Sequence, residues 1–224
     1  DNAHGLFGTW RGEPLGTLGA LATLSFHETK NVTCGEGGAL VLNDPSLVAR
    51  AEIIREKGTN RSQFIRGEVN RYAWMDIGSS YLLSDVLAGL LAAQLEEAPT
   101  IQSARERTWK AYAAALGDWA NDHGVELPFV PDGCGPAWHS FHLLLPRREH
   151  RDRLIDHLRE RGIGAPFHYL PLHLSEMGRR FGGADGDCPV TEELSGRLIR
   201  LPLHHSLTDD EVEAVVAGVT AFAV

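Results

Sequence analysis

The chain has 224 residues, 43% of them hydrophobic and 23% charged, the composition of a folded chain with a substantial core. Its 30 acidic against 21 basic residues leave a net charge of -9, which disfavours a general nucleic-acid binder. No apolar run reaches the about 20 residues of a membrane span, and three widely spaced cysteines without a CxxC pair argue against a disulfide framework or zinc knuckle and point to a reducing cytoplasm.

In chain order, residues 1–20 are turn-rich, with five glycines. Ala20–Phe26 reads as a short apolar strand. The cluster Gly35-Glu36-Gly37-Gly38 turns the chain into a second strand, Ala39–Leu42. Asn43-Asp44-Pro45-Ser46 caps a helix over Leu47–Lys57, and a polar loop follows over Gly58–Gly67. Ser84-Asp85 opens a helix whose apolar face is Val86, Leu87, Leu90, Leu91 and Leu95. Pro99 is expected to interrupt it before a second amphipathic helix, Ile101–Leu116. A Pro- and Gly-rich loop follows Val125. Beyond it come a strand at Phe141–Leu145, a helix at Arg151–Arg161, a strand at Ala165–Tyr169, and a final helix, Asp209–Phe222, capped by Thr208. This order predicts two domains, 1–115 and 116–224, the second a small α/β unit. The first residue is Asp rather than Met and the chain opens inside structured sequence, so we expect these residues to be part of a longer protein.

Chemistry that needs a primary amine has three candidates: Lys30, Lys57 and Lys110. Lys30 lies between a strand end and a glycine-rich turn, where a lysine can be desolvated, neutral and nucleophilic. The plain alternative is a solvated surface lysine. Residues 50–71 carry Arg50, Arg55, Lys57, Arg61, Arg66 and Arg71 against only Glu52, Glu56 and Glu68. That local excess suits either a basic loop facing an anionic substrate or a solvated helix face. Among the histidines, His139/His142 and His168/His173 resemble metal pairs only superficially. His139 and His142 are expected on opposite faces of a strand, and neither pair has an acidic partner at zinc-site spacing, so no metal is expected.

The segment Ser25-Phe26-His27-Glu28-Thr29-Lys30-Asn31, followed by Gly35-Glu36-Gly37-Gly38, resembles the lysine segment of the DegT/StrS-type sugar aminotransferases. These are fold-type I enzymes that use pyridoxal 5'-phosphate (PLP). The resemblance continues through Arg55–Phe64, Trp74–Leu82, Phe167–His173 and Arg200-Leu201-Pro202-Leu203, nearly the whole chain. It implies an α/β fold: the C-terminal part of a PLP-binding large domain plus a small α/β C-terminal domain. Gly58-Thr59-Asn60-Arg61-Ser62-Gln63 and Gly78-Ser79-Ser80-Tyr81-Leu82 point to a subgroup that aminates dTDP-4-keto-6-deoxyglucose with glutamate.

By that resemblance, Lys30 would hold PLP covalently and later move a proton beside the reacting carbon. Asp1, 29 positions earlier, would pair with the ring nitrogen. His4 would lie near the phenolic oxygen, or else be an ordinary loop histidine. Ser25 would donate to the phosphate, and Ser80 would reach it from a neighbouring subunit, although Ser-Ser-Tyr-Leu departs from the commoner Tyr-Asn-Tyr-Arg type. Arg61, His168 and His173 would stand near substrate. The resemblance also implies a homodimer. The alternatives are a C3-aminating relative and a chain that packs or dimerises without catalysis, because the family's phosphate-binding turn and ring-stacking aromatic precede the matched region.

Overall fold

The computed structural model describes residues 1–224 and divides into two compact units: 1–99 with 132–137, and 100–131 with 138–224. The expected boundary at 115/116 falls inside a helix. No helix is long and apolar enough to cross a membrane.

The first unit opens with two-residue strands, β1 (Thr9–Trp10) and β2 (Glu13–Pro14), which pair antiparallel. Next comes a hairpin of β3 (Leu21–Ser25) and β4 (Gly38–Leu42), in register from Leu21↔Leu42 to Ser25↔Gly38. Asp44 caps a short 3-10 turn, Pro45–Leu47, that leads into α1 (Val48–Arg55). A further short helix, α2 (Arg61–Ile65), occupies what the sequence suggests is only a polar loop. Its polar face disguises it. The turn is held from outside by Asn60, whose Nδ2 donates to the Arg71 carbonyl at 3.0 Å while its Oδ1 accepts from the Ala73 N–H at 2.7 Å. α3 (Asp85–Glu96) starts where expected, with the Ser84 hydroxyl accepting from the Leu87 N–H.

α4 (Ala98–His123) begins three residues before the expected start at Ile101 and runs 26 residues. Pro99 does not precede it but sits in its first turn, where the first four N–H groups lack intrahelical acceptors and a missing donor costs nothing. β5 (Cys134–Gly135) returns to the first unit and pairs with β1.

In the second unit, Tyr112, Leu116 and Trp119 of α4 line the core at helical spacing. They pack with β6 (Phe141–Leu144), α5 (Arg148–Arg159), β7 (Leu198–Leu201) and α8 (Asp209–Thr220). Phe141 and Leu143 face inward from β6, and Ile199 and Leu201 from its antiparallel partner β7, the alternation of a sheet with one core face. Between α5 and β7 lie a 3-10 turn, Leu172–Leu174, and two short helices, α6 (Glu176–Arg180) and α7 (Pro189–Arg197). The expected strand over Ala165–Tyr169 shrinks to a single bridge, Phe167↔Ile199, because Pro166 has no N–H to extend a ladder. α8 carries a capping box: Thr208 Oγ1 accepts from the Glu211 N–H and the Glu211 carboxylate accepts from the Thr208 N–H.

Candidate active site

Lys30 sits in the loop that joins β3 to β4. Three main-chain bonds set the loop's shape. Phe26 N donates to Gly37 O at 2.8 Å, Cys34 N to Phe26 O at 3.0 Å, and Lys30 N to His27 O at 2.9 Å. Val32 and Cys34 are buried beneath it, and the Asn31 amide donates to the Ala137 carbonyl at 2.5 Å. His27 closes the turn before the lysine. Its Nδ1 lies 3.3 Å from the Thr29 N and 3.0 Å from the Thr29 hydroxyl, and its Nε2 lies 3.7 Å from Glu36. Glu28 is exposed.

This framework holds Lys30 half-buried. Loss of water alone lowers the pKa of its ammonium below that of an ordinary lysine. The amine is therefore more readily neutral, the form that attacks a carbonyl.

Ser25 is the last residue of β3. Its Oγ accepts from the His27 N–H at 3.4 Å, so its own hydrogen remains available to donate. Asn2 N donates to the Thr23 carbonyl at 3.0 Å, which lays the start of the chain beside β3. Asp1 is exposed, and its Oδ1 accepts from the Ala3 N–H at 2.9 Å. His4 lies exposed in the turn that follows. The first unit therefore contains an amine, a carboxylate and a hydroxyl tied to one hairpin. Those groups can hold an aldehyde, a protonated ring nitrogen and a phosphate respectively.

A second part of the same unit, residues 56–80, carries Arg61 and Ser80. It closes on itself where two glycines meet. A Cβ on Gly58 would fall 1.7 Å from the Asp76 carbonyl oxygen, and one on Gly78 would fall 2.2 Å from the Gly58 nitrogen. Glu56 bridges antiparallel to Ser80, and Lys57 N donates to Ser79 O at 2.9 Å. The Glu56 side chain is buried, accepting from Ser62 Oγ at 3.0 Å and from Arg61 Nη1 at 3.5 Å.

Of the six cations in residues 50–71, three meet internal carboxylates. Arg50 pairs with Asp76, Arg61 with Glu56, and Arg66 with both Glu52 and Glu68. The pairs of Arg50 and Arg66 lie at the solvent-exposed surface, and Arg55, Lys57 and Arg71 are exposed as well.

His168 and His173 belong to the second unit. His168 is half-buried, its ring 4.0 Å from that of Tyr169, while Arg200 lies 5.5 Å over the Tyr169 ring. His173 Nε2 lies 2.8 Å from Glu192 Oε1, and that carboxylate also accepts from the Gly186 and Cys188 N–H groups. The His173 ring is thus held by a loop anchor. His142 is on β6 opposite Arg200, and burial lowers its pKa.

Reading the residues alone passes over Asn31, Glu56 and Asn60. Each is a buried polar side chain whose partner lies elsewhere in the chain. Only the oddity of a polar residue within an informative motif could have flagged them.

Residues 1–220 match the DegT/DnrJ/EryC1/StrS aminotransferase family. The chain is 31% identical over 226 residues to the uncharacterized protein MJ1066 of Methanocaldococcus jannaschii. It is 28% identical over 227 residues to the spore coat polysaccharide biosynthesis protein SpsC of Bacillus subtilis. Each alignment covers 98% of this chain and 58% of the relative, so the chain spans little more than half the length of these proteins. Among solved structures it is similar to DesV from S. venezuelae, with TM-score 0.85 and 28% identity over 98% of this chain and 56% of that one. A DegT DnrJ EryC1 StrS aminotransferase from Brucella abortus gives TM-score 0.83 and 28% identity over 98% and 55%. The mixed α/β architecture agrees with these neighbours. By its sequence and its fold, this chain belongs to the DegT/DnrJ/EryC1/StrS aminotransferase family.

Proposed function

We propose that the protein is a PLP-dependent nucleotide-sugar aminotransferase acting as a cytoplasmic homodimer. Its reaction would pass the amino group of glutamate to C4 of dTDP-4-keto-6-deoxyglucose, giving dTDP-4-amino-4,6-dideoxygalactose. The observation that carries this reading is Lys30: a partly desolvated amine with a lowered pKa, on a loop shaped by main-chain bonds, five residues beyond a serine whose hydroxyl is available to donate. The substrate class rests on the Gly58–Gln63 and Gly78–Leu82 motifs.

When bound, PLP supplies an aldehyde conjugated to an electron-accepting ring. Lys30 Nζ would hold that aldehyde covalently and, once released, carry a proton to and from the reacting carbon. Its tether on the rigid loop keeps the amine close by, which substitutes for a second base. The Asp1 carboxylate would keep a proton on the ring nitrogen. Ser25 would donate to the phosphate, and Ser80 of a second copy would add to it. His4 would donate toward the phenolic oxygen. Arg61 would meet an anionic group of the substrate, and His168 and His173 would stand near substrate.

The test is to add PLP, reduce with borohydride and map the adduct by mass spectrometry. The adduct is expected on Lys30, to be absent from Lys30→Ala, and to be prevented by prior incubation with glutamate. A folded chain with no adduct would favour a packing role without catalysis, and turnover that survives Lys30→Ala would overturn the mechanism. NMR of the products from a panel of keto sugars separates C4 from C3 amination.

A further inference from the structure

Glu56 lies between two cations in Arg55-Glu56-Lys57, where a solvated carboxylate would be ordinary. It is not solvated: its side chain is only 8% exposed. A buried carboxylate is costly unless donors compensate it. Two donors do so, both from the start of α2. Ser62 Oγ donates to Oε2 at 3.0 Å and Arg61 Nη1 to Oε1 at 3.5 Å. Arg61 itself is 56% exposed. One nitrogen of its guanidinium therefore reaches the buried carboxylate while more than half of the side chain stays exposed. The main chain of Glu56 is pinned independently, by its bridge to Ser80 and by the contact of Gly58 with Gly78. The carboxylate thus hangs from a fixed point and cannot follow Arg61 if that side chain swings away.

We propose that Glu56 is a positioning residue that holds Arg61 in the orientation in which it receives the diphosphate of a nucleotide substrate. This deepens the substrate reading above and rests on it. A free arginine side chain samples many rotamers, and ordering it on binding subtracts from affinity. The Glu56 tether removes that cost beforehand. It also makes Ser62 part of the device, because the hydroxyl fixes the second carboxylate oxygen.

Two measurements on the full chain test the proposal. The first needs no ligand: NMR of the Arg61 side-chain N–H groups. In the wild type these should be ordered and slow to exchange with water. In Glu56→Gln, which keeps the shape and removes the charge, they should become mobile. Ser62→Ala should give a partial loosening. If Arg61 is equally ordered in Glu56→Gln and the wild type, the proposal is overturned. The second uses dTDP as the probe, with Kd measured by calorimetry for the wild type, Glu56→Gln, Arg61→Ala and the double variant. Glu56→Gln should weaken binding by about fivefold and Arg61→Ala by about tenfold or more. The double variant should match Arg61→Ala, because Glu56 acts only through Arg61. Additive losses would refute the positioning role while leaving Arg61 as a substrate contact. Unchanged dTDP affinity in Arg61→Ala would refute the substrate reading itself, whatever the NMR shows. Should Glu56→Gln not fold, Ser62→Ala carries both measurements, and an unchanged Arg61 signal and affinity there would count against the proposal.

Discussion

Replacing Gly58 by alanine should loosen the segment that carries Arg61 and Ser80. Two costs add. Gly58 has φ +74°, in the left-handed region, where an L side chain costs about 1–2 kcal/mol. The new Cβ would also lie 1.7 Å from the Asp76 carbonyl oxygen and 2.8 Å from its carbon, both main-chain atoms that cannot rotate aside. The two segments would have to part by more than about 1 Å to restore ordinary contact. That movement would break the bonds that Gly58 O accepts from Met75 N at 2.7 Å and Asp76 N at 3.0 Å, at about 1 kcal/mol each. The expected loss is about 3–4 kcal/mol. Gly67 provides the control: its φ is also +74°, but nothing lies within 4 Å of an added Cβ. Gly67→Ala should therefore cost only the backbone term of about 1–2 kcal/mol. Denaturant unfolding gives the totals, and hydrogen exchange at the Met75 and Asp76 amides locates the damage. Equal losses for the two substitutions, or Met75 and Asp76 amides as protected in Gly58→Ala as in the wild type, would refute the close-approach argument.

Other outcomes follow from the same geometry. Leu143→Ala empties a fully buried position on β6 and should destabilise the second unit by about 2–5 kcal/mol in denaturant unfolding. Glu192 is held below the usual carboxylate range, chiefly by the His173 ring and then by the Cys188 and Gly186 N–H groups. Its contribution is therefore full above the ordinary carboxylate pKa and lost as pH falls through the lowered one. Exchange of the Gly186 and Cys188 amides should accelerate on acidification in the wild type, and Glu192→Gln should remove that acid response. Lys30 should react with an amine-directed reagent at a lower pH than a free lysine side chain, because desolvation lowers its pKa. A reactivity profile matching the free side chain would count against the desolvated amine.

Much of the fold and the candidate site was legible in the sequence. Lys30 between an apolar strand and a glycine cluster identified the hairpin loop, because strand alternation and glycine turns are local properties. Ser84 and Thr208 marked helix starts correctly, because a capping hydroxyl and the amide it accepts from are three residues apart. The aminotransferase family was readable from motifs spread along the chain, and the fold agrees with it. Local rules failed where the deciding partner was distant. α2 reads as a loop, yet Asn60 closes it through Arg71 and Ala73. The strand expected over Ala165–Tyr169 is a different case: the obstacle is local, because Pro166 accepts from Arg200 N but has no N–H to return the bond.

The sequence by itself determined which chemical groups are present and roughly where the chain turns: one lysine at a strand end, a hydroxyl five residues before it, an arginine-rich stretch. Tertiary structure alone decided what state those groups are in. Burial lowers the pKa of Lys30, a buried carboxylate five residues away in sequence accepts from Arg61, and the His173 ring pairs with Glu192. Charge, orientation and protonation depend on which atoms replace water around a side chain, and that set is fixed only once the chain has folded around it.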